Sequence, residues 1–277
     1  MKTILYATDL NKNEASVLKY AYKLSQNLNL TLEVFHIYQL PPVRVSVSRP
    51  AEQMVDLIIK EQKDIVKAYC EKHLGEDMSN IKVDVVISDT ILDAILDKSK
   101  KTNPSIVVIG KKEKHTKRGL LASDIGLELL KKLTLPILIV PNTTSNKPVK
   151  TILYATDFEK GDLLAINKIV PLAKNMDAKI HVVHVSTKTE YAGKDKMQAF
   201  ENQLSQQIDY NNIEFEVLFS ENIEKELNAH AKRIDADIIV LLEREEKGFF
   251  QKLFTKGIAE KLEVKISIPL MSFNEPS

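Results

Sequence analysis

An identical eight-residue repeat constrains the fold of this chain more than any other feature of its sequence. Lys-Thr-Ile-Leu-Tyr-Ala-Thr-Asp occurs at residues 2–9 and again at residues 150–157. The tripeptides Phe-His-Ile at residues 35–37 and Val-His-Val at residues 183–185 keep the same separation along the chain. The sequence therefore consists of two homologous halves in tandem.

The segment between the two halves predicts a domain boundary near residue 146. Residues 142–148, Asn-Thr-Thr-Ser-Asn-Lys-Pro, are polar and end at a proline, a composition typical of linkers. The length of 277 residues is about twice the common domain size, and the apolar content of 44% lets each half bury a core. We expect one domain at residues 1–146 and a second, shorter one at residues 147–277.

Apolar segments alternate with amphipathic segments through the first half, which indicates an α/β fold. After the apolar run that begins at Ile4, strands are expected at residues 31–38, 83–87, 106–109 and 137–140. Helices are expected at about residues 51–73, at about residues 123–133, and after a capping-box spacing at Thr90 and Asp93. Strands and helices that alternate in this way form a mainly parallel, doubly wound sheet.

Each copy of the repeat ends in an acid, Asp9 or Asp157, directly after its apolar run. A buried parallel strand shows this pattern where it leaves the sheet at its carboxyl end. Open α/β sheets bind their ligands at the carboxyl ends of the strands. Both acids are therefore candidates for ligand contacts.

The composition limits which partners the protein is expected to bind and in which cellular compartment it is expected. Lysine plus arginine (39) nearly cancel aspartate plus glutamate (38), which argues against a general electrostatic grip on nucleic acid or on an anionic membrane. Cys70 is the only cysteine, which excludes a disulfide framework and a cysteine zinc cluster and favours a reducing compartment. The first residues lead straight into an apolar strand, and no stretch approaches the length of a membrane span. We expect a soluble cytoplasmic protein that binds neither nucleic acid nor a membrane.

With these features in order, the sequence resembles the universal stress protein family in its tandem, two-domain form. The resemblance rests on Ile-Leu-Tyr-Ala-Thr-Asp at the start of each half and on His-Ile or His-Val near the end of the second strand. It rests also on Ile-Val-Val-Ile-Gly, which ends at Gly110, and on Leu-Pro-Ile-Leu-Ile-Val-Pro at residues 135–141. It covers nearly the whole chain.

The resemblance implies two open, parallel, five-stranded sheets in tandem, of the adenine nucleotide alpha hydrolase-like type, each with strand order 3-2-1-4-5. This order puts Asp9 and Gly110 across from each other at the crevice between strands one and four. Single-domain relatives associate through their terminal strands, so the resemblance also implies an internal pseudo-dimer that brings residues 137–140 and 268–271 together. It leaves a further homodimer open.

The resemblance also draws attention to the loop after strand four. Relatives that bind ATP carry Gly-x-x-Gly there, followed nine residues later by Gly-Ser or Gly-Thr. Glycines let backbone N–H groups approach phosphate oxygens, and the amino terminus of the next helix favours the anion. In this chain Gly110 keeps the first position, whereas Glu113 replaces the second glycine and Ala122-Ser123 replace the final pair.

Six side chains that can carry positive charge fill this loop: Lys111, Lys112, Lys114, His115, Lys117 and Arg118. They either attract a phosphate by their charge or form a solvated basic loop. The second half departs further, with Leu-Glu-Arg-Glu-Glu at residues 242–246 and Thr-Lys-Gly at residues 255–257. A carboxylate ~6 Å from a phosphate charge costs on the order of 3 kcal/mol at an effective dielectric of ~20. We therefore expect no nucleotide in the second half.

Two functions are consistent with these features. The first is a non-catalytic stress-response module that acts through an unidentified protein partner, with a small ligand as its input, and that requires no cofactor. The alternative is a protein that binds ATP or another adenine nucleotide in its first half and hydrolyses ATP slowly. The resemblance implies that the ligand contacts in the first half are Ala7, Thr8, Asp9, Ile37, Gly110, Lys111 and Ser123.

The sequence offers little support for other catalytic chemistry. It contains no P-loop, no nucleophile elbow, no His-Glu-x-x-His and no Cys-x-x-Cys. His36 and His184 lie at strand ends without a serine or cysteine nucleophile at a recognisable spacing. We expect neither a catalytic residue nor a metal site.

Overall fold

The structure is a computed structural model that describes residues 2–10, 15–40, 51–75, 77–111, 123–158, 160–187, 193–243 and 268–274. By its internal contacts the chain divides into unit 1, Met1–Asn146, and unit 2, Lys147–Ser277. None of the helices within these described ranges is long and apolar enough to cross a membrane.

Unit 1 contains a five-stranded sheet in which each neighbouring pair of strands is parallel. Its strands are β1 (Thr3–Thr8), β2 (Thr31–Tyr38), β3 (Ile81–Ile87), β4 (Ile106–Lys111) and β5 (Ile137–Pro141). Their order is β3-β2-β1-β4-β5, which confirms the predicted order 3-2-1-4-5. β1 is buried along its whole length, as expected for a central strand that is covered on both faces.

Four helices connect these strands: α1 (Ala15–Asn27), α2 (Ala51–Leu74), α3 (Ile91–Thr102) and α4 (Ser123–Lys132). Helix α3 begins after Thr90 as expected, but the predicted capping box does not form, because the Thr90 side chain makes no capping bond. Its hydroxyl instead donates to Asp93 Oδ2 at 2.8 Å. The backbone N–H of Thr90 donates to Ser88 Oγ, so it needs no carboxylate from the helix.

Unit 2 repeats the same topology. Its strands are β6 (Thr151–Ala155), β7 (Lys179–Ser186), β8 (Ile213–Phe219), β9 (Ile238–Glu243) and β10 (Leu270–Asn274), and their order is β8-β7-β6-β9-β10. Its described helices are α5 (Lys160–Met176), α6 (Gly193–Ser205) and α7 (Ile223–Arg233). The paired strands β6–β7, β7–β8, β6–β9 and β9–β10 are all parallel.

The strand register defines one edge of each sheet as the place where a site can form. In unit 1, Ala7 of β1 lies beside Phe35 of β2 on one side and beside Ile109 of β4 on the other. β1 ends at Thr8 and β4 ends at Lys111, and the strands that follow them in the chain, β2 and β5, lie on opposite sides of this point. Such a topological switch opens a crevice at the carboxyl ends of the central strands.

Candidate ligand site at the strand ends

The turn that follows β1 is built by a single threonine. Thr8 is fully buried, and its Oγ1 accepts a hydrogen bond from the backbone N–H of Leu10 at 3.0 Å. This bond closes a tight turn in which Leu10 adopts a left-handed conformation, with φ at 59°. Ala7 is also buried. Ala7 and Thr8 are therefore buried below the surface of this edge. Asp9 follows them in the turn and is only half-buried.

His36 fastens the neighbouring strand to the same turn. Its Nδ1 lies 3.0 Å from the carbonyl oxygen of Thr8. A carbonyl oxygen only accepts, so Nδ1 carries the hydrogen in this contact. Burial lowers the pKa of His36, although the bond to Thr8 and the charge of Asp9 act in the opposite direction. The imidazole is therefore neutral near pH 7 and positions β2 against β1.

Four of the other predicted contacts of unit 1 lie at or near the carboxyl ends of its strands. Asp9 is half-buried directly after β1, Ile37 is buried in β2, and Gly110 is buried near the end of β4. Lys111 is the last residue of β4 and is partly exposed, and Ser123 is the first residue of α4. The fold thus gathers an acid, a glycine and a lysine at the ends of its two central strands.

Some of the predicted residues lie outside the described ranges. In unit 1 these are residues 112–118 of the basic loop and Ala122, and in unit 2 they are residues 244–246 and 255–257. The expectations for these residues remain predictions from the sequence.

In unit 2, a buried carboxylate fixes the turn that follows β6. The Asp162 carboxylate, in the first turn of α5, is buried at 1% exposure. It accepts hydrogen bonds from the hydroxyl of Tyr154 at 2.7 Å, from the hydroxyl of Thr156 at 3.0 Å and from the backbone N–H of Asp157 at 3.2 Å. One buried carboxylate therefore connects strand β6, the turn and the following helix.

The same edge of unit 2 is occupied by an aromatic side chain. The backbone N–H of Phe158 donates to Thr156 Oγ1 at 2.9 Å, and φ of Phe158 is 64°, so this turn matches the one at Leu10. The Phe158 ring lies on His184, with the ring centroids 4.2 Å apart and the planes inclined by 36°. It also meets Phe200 of α6 edge-on at 5.9 Å. Asp157, in contrast to Asp9, is exposed.

Reasoning from the sequence missed Asp162 and Phe158. The available signal for the buried carboxylate was Tyr154 on β6 with Thr156 two residues later, followed by an acid in the next helix. The signal for the ring was the change from Leu10 to Phe158 directly after the repeated octapeptide. Over the described part of the chain, no group of three or more His, Cys, Asp or Glu residues could hold a metal ion.

The sequence and the structure of this chain were compared with those of known proteins. The profile of the universal stress protein family matches residues 1–141 and residues 148–271. A universal stress protein from Archaeoglobus fulgidus DSM 4304 has a similar structure over 99% of this chain and 98% of its own, with a TM-score of 0.72 and 17% identity. A protein of unknown function from Pseudomonas aeruginosa PAO1 covers 99% of this chain and 92% of its own, with a TM-score of 0.61 and 12% identity.

A universal stress protein solved in complex with cAMP matches 50% of this chain and 96% of its own, with a TM-score of 0.35 and 18% identity. No curated protein sequence matches the chain. At these identities the likeness to solved structures concerns the fold alone.

Proposed function

This chain belongs to the universal stress protein family, and we propose that it is a non-catalytic stress-response module whose unit 1 binds an adenine nucleotide. The bound nucleotide acts as an input that changes the affinity of the module for a protein partner. The observation that carries this proposal is the difference between the two units at the same edge of the same fold. Unit 1 presents a half-buried acid beside Leu10, whereas unit 2 presents an exposed acid beside the stacked ring of Phe158.

The chemistry of the edge in unit 1 suits a nucleoside that carries a phosphate. The carboxylate of Asp9 can accept hydrogen bonds from the hydroxyls of a ribose or from the amino group of adenine. Gly110 has no side chain to keep a phosphate away from the backbone, and the Lys111 ammonium adds a positive charge next to it. Helix α4 begins at Ser123, and the amino terminus of a helix favours an anion. Ile37 offers an apolar surface for the base.

The proposal assigns no chemical step to the protein. His36, near the end of β2, donates from Nδ1 to the carbonyl of Thr8 and so serves the turn. The role of Asp9 is to bind the ligand, not to activate a nucleophile. Nucleotide binding therefore changes the surface that a partner meets, and the same nucleotide is released unchanged.

Calorimetric titration of the full chain with ATP tests the proposal. We expect one ATP per chain, and we expect Asp9→Asn to weaken binding by about tenfold or more, because a hydrogen bond to a charged acceptor contributes about 1.5–3 kcal/mol. The matched control is Asp157→Asn, which changes the same residue of the repeat in unit 2 and should leave ATP affinity unchanged. Phosphate release, followed in the same samples, should stay at the level of the buffer.

Two results would contradict the proposal. If Asp157→Asn weakens ATP binding and Asp9→Asn does not, the ligand binds in unit 2. If the wild-type chain binds no adenine nucleotide, and none is released from the purified protein on denaturation, unit 1 is not a nucleotide site.

A further inference from the structure

Helix α7 of unit 2 carries a buried histidine where helix α3 of unit 1 carries a lysine. The two helices begin after equivalent cap residues, Thr90 and Asn222, and the eighth residue of each helix is Lys98 in α3 and His230 in α7. His230 is buried at 1% exposure. Unit 2 therefore has a side chain that titrates near neutral pH where unit 1 has one that stays charged.

The strands that these helices cover differ as well. Lys98 forms ion pairs with Glu33 on β2 and with Asp84 on β3. The strand registers of unit 2 put His181 and Glu216 at the corresponding positions of β7 and β8. Unit 1 thus has two carboxylates for one cation, whereas in unit 2 a second histidine replaces the more buried of the two carboxylates.

The contacts of His230 define which of its ring nitrogens carries the hydrogen. Nη2 of Arg233 lies 2.8 Å from Nδ1 of His230. A guanidinium only donates, so Nδ1 accepts, and the single hydrogen of the neutral ring is on Nε2. Among the described residues Nε2 has no hydrogen-bond partner, and Oε2 of Glu216 lies 3.5 Å from it. The contact with Arg233 therefore requires a neutral His230 ring.

The charges around His230 compensate a proton on its ring only weakly. Within the described ranges, the titratable and charged groups that face His230 or its neighbour His181 are Lys179 and His181 on β7, Glu214 and Glu216 on β8, and Glu226 and Arg233 on α7. Glu214 already pairs with Lys179 at 2.6 Å. Glu216 is half-exposed, so water screens its attraction for a charged ring.

Acidification should therefore destabilise unit 2 through His230. Burial lowers the pKa of His230 and outweighs the charge of Glu216, and Arg233 and His181 lower this pKa further. A histidine with a lowered folded-state pKa binds its proton more readily in the unfolded chain. Its contribution to stability is complete above the unfolded-state pKa of about 6.5 and is lost as the pH falls below that value. Lys98 stays charged across this range.

We propose that His230 and Arg233 form a pH switch at the end of α7. At neutral pH the guanidinium donates to the ring and stabilises the last turn of the helix. When His230 binds a proton, Nδ1 also carries a hydrogen, so two donors of like charge oppose each other and the contact breaks. The exposed Arg233 side chain then moves into water, and α7 loosens where the chain leads into β9. This switch lies in unit 2 and is separate from the nucleotide edge proposed for unit 1.

NMR spectroscopy of the full-length chain, labelled with ¹⁵N, tests the state of the histidine. At neutral pH we expect His230 to carry its hydrogen on Nε2, and we expect its titration midpoint to lie below that of the unfolded chain in urea. Arg233→Met removes the opposing charge and should raise that midpoint. A hydrogen on Nδ1 at neutral pH would overturn the proposal. A midpoint that Arg233→Met leaves unchanged or lowers would overturn it too.

Hydrogen exchange of the same chain between about pH 7.5 and about pH 5.5 tests the helix, and unit 1 is the internal control. After correction for the intrinsic pH dependence of exchange, protection should fall severalfold in peptides from residues 223–237. It should stay constant in peptides from residues 91–105, which contain Lys98. Unchanged protection of α7, or an equal fall in both helices, would contradict the proposal.

Two substitutions identify the group that responds to the proton. His230→Gln binds no proton, and its amide oxygen can still accept from Arg233, so the protection of α7 should no longer depend on pH. His181→Gln is the matched control and should keep the acid-dependent loss, because Arg233 contacts His230. Loss of protection that persists in His230→Gln, or that disappears in His181→Gln, would assign the response to another group and overturn the proposal.

Discussion

At the scale of single residues, Asp162 and Asp157 show how two nearby acids of one turn take different roles. The Asp162 carboxylate is buried and accepts bonds from two hydroxyls and one backbone N–H, whereas Asp157 is exposed. A buried charge is tolerated only where donors surround it. The repeat sequence drew attention to Asp157, but the residue that organises the end of β6 is Asp162.

The first stability prediction follows from this difference. Asp162→Asn should lower the free energy of unfolding of unit 2 by about 2 kcal/mol, because the asparagine amide places a donor where three donors already point. The matched control is Asp157→Asn, whose exposed side chain should change that free energy by less than about 0.5 kcal/mol. Urea unfolding of the full chain, followed by circular dichroism, measures both variants. A smaller loss for Asp162→Asn than for the control would show that the buried network does not stabilise the turn.

At the scale of elements, one lysine connects α3 to two strands of unit 1. Lys98 Nζ lies 2.6 Å from Glu33 Oε1 on β2 and 2.9 Å from Asp84 Oδ2 on β3. The side chains of Lys98 and Glu33 are 15% and 10% exposed, so this pair is largely removed from water. Glu33 is therefore held in the sheet by a partner that comes from a helix, and loss of that partner would leave a buried charge.

Burial raises the pKa of the Asp84 carboxyl, but its hydrogen bond to Lys98 and the charges of Lys98 and Lys63 outweigh this, so its pKa lies below the ordinary value of 3.8. A carboxyl with a lowered folded-state pKa stabilises the fold above its unfolded-state pKa. The stabilisation is lost as the pH falls through the folded-state pKa. The ion pair between Lys98 of α3 and Asp84 of β3 should therefore stabilise unit 1 at pH 7, and this stabilisation should be lost below about pH 4.

Substitution of the lysine tests this connection. Lys98→Met should lower the free energy of unfolding of unit 1 by about 2–3 kcal/mol at pH 7, because Glu33 is left buried and unpaired. The difference from the wild-type chain should shrink at pH 3.5. Lys67→Met is the control, because Lys67 is exposed and lies 3.9 Å from Asp64, where an ion pair contributes little. Urea unfolding at both pH values decides the matter, and a pH-independent loss would point to packing of the lysine stem instead.

At the scale of the whole molecule, the two units share one topology and differ in the side chains that follow their first strands. The family profile matches both of them, so the difference is a local change in side chains rather than a change of fold. Leu10 and Phe158 follow the same acid in the same left-handed turn. The two units therefore differ at this turn: unit 2 packs the Phe158 ring on His184 and Phe200, whereas unit 1 has a leucine there.

Hydrogen exchange of the intact chain with ATP should reveal this asymmetry. Protection should increase in peptides that contain residues 3–10 and 106–111, because a bound nucleotide restrains the strand ends that contact it. Peptides that contain residues 151–158 and 238–243 should exchange at the same rate with and without ATP. Mass spectrometry of the Asp9→Asn variant serves as the control, and it should show no added protection. Protection confined to residues 151–158 would reverse the assignment of the units.

The sequence alone determined the architecture, because the information for it is local and repeated. The octapeptide at residues 2–9 and 150–157 identified two related halves, and the alternation of apolar and amphipathic segments predicted parallel strands joined by helices. The strand order came from the family resemblance and is confirmed. The apolar run placed Asp9 at the carboxyl end of a strand, and the family resemblance placed Asp9 and Gly110 on neighbouring central strands. The repeat and the alternation of segments depend only on neighbours along the chain, whereas the strand order needed the family resemblance.

Only the tertiary structure decided which side chains meet at the edge. The ring of Phe158 meets His184 and Phe200 because β7 and α6 are folded against the end of β6, and no spacing in the sequence encodes that contact. Lys98 likewise finds Glu33 only when α3 packs on the sheet. The repeated sequence gives the two units the same backbone topology. Which side chains pack at the strand ends depends on residues that come together from distant segments. That convergence packs the Phe158 ring at the edge of unit 2, where unit 1 has Leu10 at the same turn.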